Sequence, residues 1–254
     1  MSFRTFAIGL TASFAVAWLA VVILPFFKLQ NPAPVSFVEG IDEQSGIYHP
    51  KRSGRVVNGY EVYAANGCYQ CHTQVARPTY AGNDLNRPDL AGIKGDFERG
   101  DTRRESNVFD YIGLDFAPIG VTRLGPDLVN LGRRLPHEVL KAARDQGDDT
   151  LTPQQAEAIA ERRLFLHLYN PRLDPAVAEW SACPPHRFLF EEQEIQGQRS
   201  GDALEIETGE GMEIVPKPQA RALVSYLMSL KHDDPVPASM NYAPADAGGD
   251  DKEG

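Results

Sequence analysis

Six consecutive residues constrain this chain more than any other feature: Gly67-Cys68-Tyr69-Gln70-Cys71-His72. A C-x-x-C-H run is the attachment signature of c-type haem. The spacing follows from the chemistry. Each cysteine sulfur adds to one vinyl group of the porphyrin, giving two thioether bonds, and two intervening residues on a tight turn hold the sulfurs a vinyl–vinyl distance apart. The next residue then falls under the iron, where a histidine is the proximal ligand. One covalent haem c is expected, on Cys68 and Cys71, with His72 on the iron. Two other uses of C-x-x-C compete. A thioredoxin-like dithiol needs a βαβ context. A zinc site needs a second C-x-x-C or an H-x₃₋₅-H to complete four ligands, and neither follows.

The only other cysteine, Cys183, has no partner left, so no disulfide framework is expected within the chain. The 254 residues allow one or two domains, and 42% hydrophobic with 24% charged residues reads as globular. A net charge of −10 argues against nucleic acid as a partner.

Residues 6–27 are almost wholly apolar and uncharged, with Thr11 and Ser13 as the only hydroxyls. As a helix this run reaches about 33 Å, enough to cross a bilayer core. A cleaved signal peptide would have an apolar region of about 7–15 residues and a small-residue cleavage site. This run is longer and ends in Leu24-Pro25-Phe26-Phe27-Lys28, so residues 1–28 read as an uncleaved anchor. Haem c is attached outside the bacterial cytoplasmic membrane. The expected topology is therefore a single pass through that membrane, with the haem domain on the periplasmic side.

Residues 29–54, rich in Pro and Gly with acidic Glu39, Asp42 and Glu43, read as a linker near the membrane surface. Residues 55–66 read as a helix, with Val56, Tyr60 and Tyr63 on one face and Gly67 ending it. Periodicity then fails through residue 121, apart from a short helix expected near residues 105–112. Leu124-Gly125-Pro126-Asp127-Leu128 is a tight turn whose Pro carbonyl is left free. Residues 136–146 read as a short helix with Val139 and Leu140 inward. Thr152-Pro153-Gln154-Gln155 opens another, with an N-cap, Pro at the first position and a capping-box Gln, running to about residue 168. Residues 174–201 are poorly periodic. A last helix spans residues 218–230, with Leu223, Tyr226, Leu227 and Leu230 in one stripe. Residues 233–254 read as a disordered acidic tail.

Helix, C-x-x-C-H, Gly-Pro turn and a closing helix resemble the class I cytochrome c fold. The expected architecture is mainly α: a single N-terminal transmembrane helix, then a class I cytochrome c domain over residues 55–232 with long loop insertions. The closer resemblance is to subunit II, the membrane-anchored mono-haem subunit of cbb3-type cytochrome c oxidases. It is carried by the anchor with Leu24-Pro25-Phe26-Phe27, by Gly59-Tyr60-Glu61-Val62-Tyr63, and by Gly67 through Gln74 with Arg77-Pro78. It resumes at Gly125-Pro126-Asp127-Leu128 with Gly132, at His167-Leu168-Tyr169-Asn170-Pro171-Arg172 and at the closing helix.

The resemblance implies that the first and last helices of the domain cross, with Gly59 and Tyr63 near Tyr226. It implies that the Pro126 carbonyl accepts from His72 and fixes its ring. Arg77 becomes a candidate contact for a haem propionate. The family carries Ser-x-Met-Pro, whose Met is the sixth iron ligand. Here the run is Ser181-Ala182-Cys183-Pro184. Cys183 at the family position, Met212 ahead of the closing helix and, as the lesser candidate, His186 are the residues that could replace it; a five-coordinate iron is the remaining option.

The implied function is electron transfer to the catalytic subunit of a haem-copper terminal oxidase in aerobic respiration, with oxygen reduction on that other subunit. The implied partners are that subunit, an electron-donor cytochrome or further haem subunit, and membrane lipid. An anchored cytochrome of another respiratory complex is a second reading. A haem sensor or small enzyme with an open iron site is a third.

Overall fold

The computed structural model describes residues 2–30, 32–42, 44–95, 100–174, 177 and 179–240. It is mostly helical, with 44% helix against 7% strand. The first helix, α1 (Phe3–Leu29), is long and apolar enough to cross a membrane, and none of its most apolar stretch is buried against the rest of the chain. Ser2 caps it by accepting from the Thr5 amide. Its interior is not uniform. Leu19–Ile23 forms a π turn just ahead of Pro25, whose missing N–H cannot bond the preceding turn.

Four further helices and one hairpin follow. Helix α2 is Gly54–Ala65, α3 is Leu131–Asp145, α4 is Pro153–Tyr169 and α5 is Pro218–Met228. Ser53 caps α2 through the Val56 amide, and Gly67 turns the chain off it in the left-handed region at φ 65°. The α2 face buried is Gly59, Tyr60 and Tyr63; Val56, expected on it, is half-buried. That face crosses α5. A Cβ at Gly59 would sit 2.0 Å from the Ala222 carbonyl oxygen, so the two backbones touch. The Tyr60 and Tyr63 rings pack on the Tyr226 ring at 5.8 and 5.5 Å.

Helix α4 opens with the expected capping box of Thr152 and Gln155 and buries Ala156, Ala160, Leu164 and Leu168, a spacing of four along one stripe. Helix α3 begins at Leu131, not at Pro136, and its deepest apolar residues are Leu131 and Leu135 rather than Val139 and Leu140. Gly132 explains the earlier start. Its amide donates to the Leu230 carbonyl, and a Cβ there would lie 2.1 Å from the Met228 carbonyl oxygen. Contact with the end of α5 starts the helix, and the proline one turn later removes a single bond.

Four further details extend or differ from the reading of the sequence. The segment taken as irregular ends in a hairpin: β1 (Phe190–Glu194) pairs antiparallel with β2 (Met212–Pro216), Phe190 opposite Pro216 and Glu194 opposite Met212. The linker is packed from about residue 35. Ser36 bridges Ile47, Phe37 meets Tyr48 edge-on, and Arg52 donates to the Ile112 and Asp110 carbonyls. At the start of the expected tail, Asp233, Pro237 and Met240 are buried, and the Ala238 amide donates to Asp42. Residues 241–254 of the expected tail lie outside the described residues. The helix expected near residues 105–112 is one 3₁₀ turn, Val108–Tyr111, capped by Asn107 and Asp110.

Candidate functional site

The Cys68–Gln70 turn follows directly from Gly67 at the end of α2, and the His72 amide donates back to the Cys68 carbonyl. Residues 119–128 then run alongside residues 69–74 and lock them. Val121 N donates to Tyr69 O, Thr122 Oγ1 to Gln70 O, Gly125 N to Cys71 O and Leu128 N to Thr73 O, while Gln74 N donates to Ile119 O. The motif is thus gripped by backbone on both sides of the Gly-Pro turn.

His72 Nδ1 lies 2.8 Å from the Pro126 carbonyl oxygen. A carbonyl only accepts, so Nδ1 carries a proton, which leaves Nε2 as the ring nitrogen available to a metal. Gly125 makes this approach geometrically available. A Cβ there would lie 2.2 Å from His72 Cε1 and 2.6 Å from Nδ1.

A charged network behind the histidine stiffens the same strand. The Asp84 carboxylate is fully buried and takes two bonds from Arg123 (2.8 and 2.7 Å) and three from Arg77, including its backbone amide. Arg123 Nε reaches Thr73 Oγ1 at 2.7 Å, and Thr73 in turn donates to Asp127. Burial alone would raise the Asp84 carboxyl, but the Arg123 and Arg77 hydrogen bonds override it and hold the carboxyl well below the usual range. Arg77, the expected propionate contact, therefore has Nε and one terminal nitrogen committed to Asp84.

The three thiols share one neighbourhood. Cys68 is pushed up to about 11 by burial and then by Cys183. Cys183 is raised by burial and then by Cys71, with Arg172 opposing. His186 is anchored by its amide on the Leu168 carbonyl and tilts against Phe188 at 5.8 Å. Burial lowers its pKa, with the Pro184 backbone opposing, and its Nδ1 is buried without a hydrogen-bond partner among the described residues. Met212 belongs to the hairpin: it pairs with Glu194, its side chain lies over Gly209 and its carbonyl accepts from Thr208.

One further histidine was not singled out from the sequence. His167 stands on the last turn of α4, and its pKa is lowered by burial, with Asp174 opposing and His72 and His186 adding to the effect. Its helical position beside leucines reads as core packing, so only the fold relates it to His72.

The donor set fits a covalently held haem better than a bare ion. Two thiols and an imidazole with a free Nε2 lie within one turn, and among the described residues no three or more His, Cys, Asp or Glu side chains gather as a metal-ion site. No family model matches the chain, and no curated protein matches it.

Acid should unfold the domain in two stages. His232 is buried with Nε2 3.1 Å from the Arg104 carbonyl, and burial followed by the Arg104 charge pushes its pKa down to about 3. An unfolded histidine titrates near pH 6.5, so below that the unfolded chain binds the proton first. Stability should fall by about 1.4 kcal/mol per pH unit from there downward on account of this residue. Asp84 contributes above about pH 4 and loses its contribution below, because its folded pKa is depressed. In urea melts between pH 7 and 2, His232→Gln should flatten the first stage. Asp84→Asn should lose about 3 kcal/mol at pH 7 and flatten the second. A wild-type stability that is level from pH 6.5 to 4.5 would contradict a buried neutral His232.

Proposed function

We propose that the chain is a membrane-anchored, mono-haem c-type cytochrome that passes electrons to the catalytic subunit of a haem-copper oxidase of the cbb3 type. The observation that carries the first part is the His72 Nδ1 to Pro126 carbonyl bond, set directly behind two cysteines at haem-c spacing. A haem bound there would take up and release one electron at a time. The chain's own residues would do the rest. Cys68 and Cys71 would tether the group, Pro126 would orient His72, and the Asp84–Arg123–Thr73 network would keep that orientation fixed when the charge of the site changes. The class I cytochrome c fold is supported by the α2–α5 crossing at Gly59 and Tyr226, which matches the expected meeting of first and last helices.

The oxidase assignment rests on the resemblance to subunit II and on α1 as an anchor, with the haem domain on the periplasmic side of a bacterial cytoplasmic membrane. Native protein extracted in mild detergent should co-elute with a many-helix haem-copper subunit and show a low-spin reduced spectrum. A haem-loaded chain eluting alone would favour a cytochrome of another respiratory complex.

The sixth ligand gives a separate test. Cys183, within electrostatic reach of Cys71, and Met212 are the candidates to replace the family's methionine, and we take Cys183 as the ligand. Cys183→Met should then raise the midpoint potential markedly, since a neutral thioether favours reduced iron and an anionic thiolate favours oxidised iron. Met212→Ala should leave the spectrum alone. Loss of the low-spin spectrum in Met212→Ala, with Cys183→Ala silent, would move the ligand to the hairpin.

A further inference from the structure

Residues 35–38 and 46–48 form a short antiparallel ribbon soon after the membrane-length helix α1. The Phe37 amide donates to the Gly46 carbonyl and the Tyr48 amide to the Val35 carbonyl, with Ser36 opposite Ile47. Side chains on such a ribbon alternate between its two faces. Val35, Phe37 and Tyr48 share one face and are half-buried, the Phe37 and Tyr48 rings meeting edge-on at 6.3 Å. Ser36, Val38 and Ile47 share the other face and are exposed. The Ile41 amide turns back onto the Val38 carbonyl, which brings Ile41 next to Val38. Val38, Ile41 and Ile47 are 46%, 70% and 63% exposed. The outer face of an antiparallel ribbon is ordinarily polar. Here it carries three large apolar side chains left open by the rest of the described chain.

Position and charge together favour a bilayer surface as what meets them. Val38 follows Leu29, the last residue of α1, by nine residues, at most about 32 Å of extended chain. Lys28 in the last turn of α1 and the adjoining Phe26–Phe27 ring pair mark the end at which that helix leaves an apolar layer. Among the described residues no helix or strand separates Leu29 from the ribbon. The described charges between residues 35 and 48 are Glu39 and Asp42, both acidic, so the contact relies on apolar area rather than on attraction to anionic headgroups. The Asp42 carboxylate is itself committed, accepting from the Val38 amide at 2.6 Å and the Ala238 amide at 2.8 Å. Those bonds, with Arg52 on the Asp110 and Ile112 carbonyls, tie the ribbon to the domain instead of leaving it a free tether.

We propose that Val38, Ile41 and Ile47 dip into the lipid–water interface beside α1, as a second membrane contact that fixes the tilt of the domain. This contact depends on α1 crossing the bilayer.

The test uses the full-length protein in phosphatidylcholine vesicles, with p-benzoylphenylalanine replacing Phe14 in α1 or Ile41 in the ribbon. Irradiation should give lipid adducts at both positions, read by mass spectrometry of the labelled peptides. Adding Val38→Asp and Ile47→Asp should lower the adduct yield at position 41 about fivefold or more and leave that at position 14 unchanged. Val38→Ser with Ile47→Ser, expected to lower it about twofold, serves where the aspartates disturb folding. Adducts at position 14 with none at position 41, or a yield at 41 indifferent to both pairs of substitutions, would overturn the proposal and leave the anchor in place. No adducts at position 14 would overturn the anchor and the proposal together. In native membranes, attachment of the position-41 probe to another polypeptide rather than to lipid would give this face to a protein partner and overturn the proposal.

Discussion

A Cys68→Ala/Cys71→Ala chain is expected to carry no haem after denaturation, whereas each single change should leave a reduced, covalently attached fraction. The expectation depends on two thioether bonds formed by the same turn. The turn is not remade by the substitutions, because its hydrogen bonds use the backbone of Cys68 and Cys71 and not their thiols: His72 N to Cys68 O, and Gly125 N to Cys71 O. The double variant should therefore keep its helices while losing haem stain on a denaturing gel. Full stain in the double variant would refute the cofactor assignment, and with it the electron-transfer reading.

The second large effect is expected at Gly125. In Gly125→Ala the new methyl would start 2.2 Å from His72 Cε1 and 2.8 Å from Nε2, so either the ring or the turn must move. Moving the ring breaks its bond to Pro126, and moving the turn pulls on Cys71 and Leu128, whose partners lie in the same clamp. Displacements of this kind cost about 3 kcal/mol or more. The readout that separates a local from a general effect is the haem spectrum at a temperature where the variant is still folded. A disturbed proximal ligand should shift the spectrum in Gly125→Ala, while a change at Gly59, where the clash is with Ala222, should lower the melting temperature with the spectrum intact. An unshifted Gly125→Ala spectrum would mean that the Pro126 contact does not orient His72.

Much of the helical frame could be read from local signals. The Thr152 cap, Pro153 and Pro218 at helix starts and the Gly67 stop each act within one turn, and the structure keeps them. The start of α3 could not be read, because Pro136 is the stronger local signal while the contacts of Gly132 with Met228 and Leu230 are remote. The hairpin hid for a similar reason. Glu191, Glu192 and Glu194 are exposed and give β1 no alternation, and its pairing with β2 is visible only in three dimensions.

The candidate site divides likewise. Cys68, Cys71, His72 and Pro126 are legible because covalent chemistry fixes their spacing. Asp84 and Arg123 were not, since single charges in loops look like solvated surface until the fold buries the carboxylate.

The backbone contact between Gly59 and Ala222 has a consequence for assembly. Its two helices lie at opposite ends of the domain, one before the haem motif and the other near the end of the described chain. A chain synthesised from its N-terminus cannot make that contact until α5 emerges. Until then Cys68 and Cys71 follow an undocked helix, with their thiols open to reaction. Long-range closure of this type is slow, and the interval before it is when thiols and unpaired strands are most open to wrong partners. Docking of α5 would end that interval and shelter the motif at once, so the order of synthesis itself would set the window for modification.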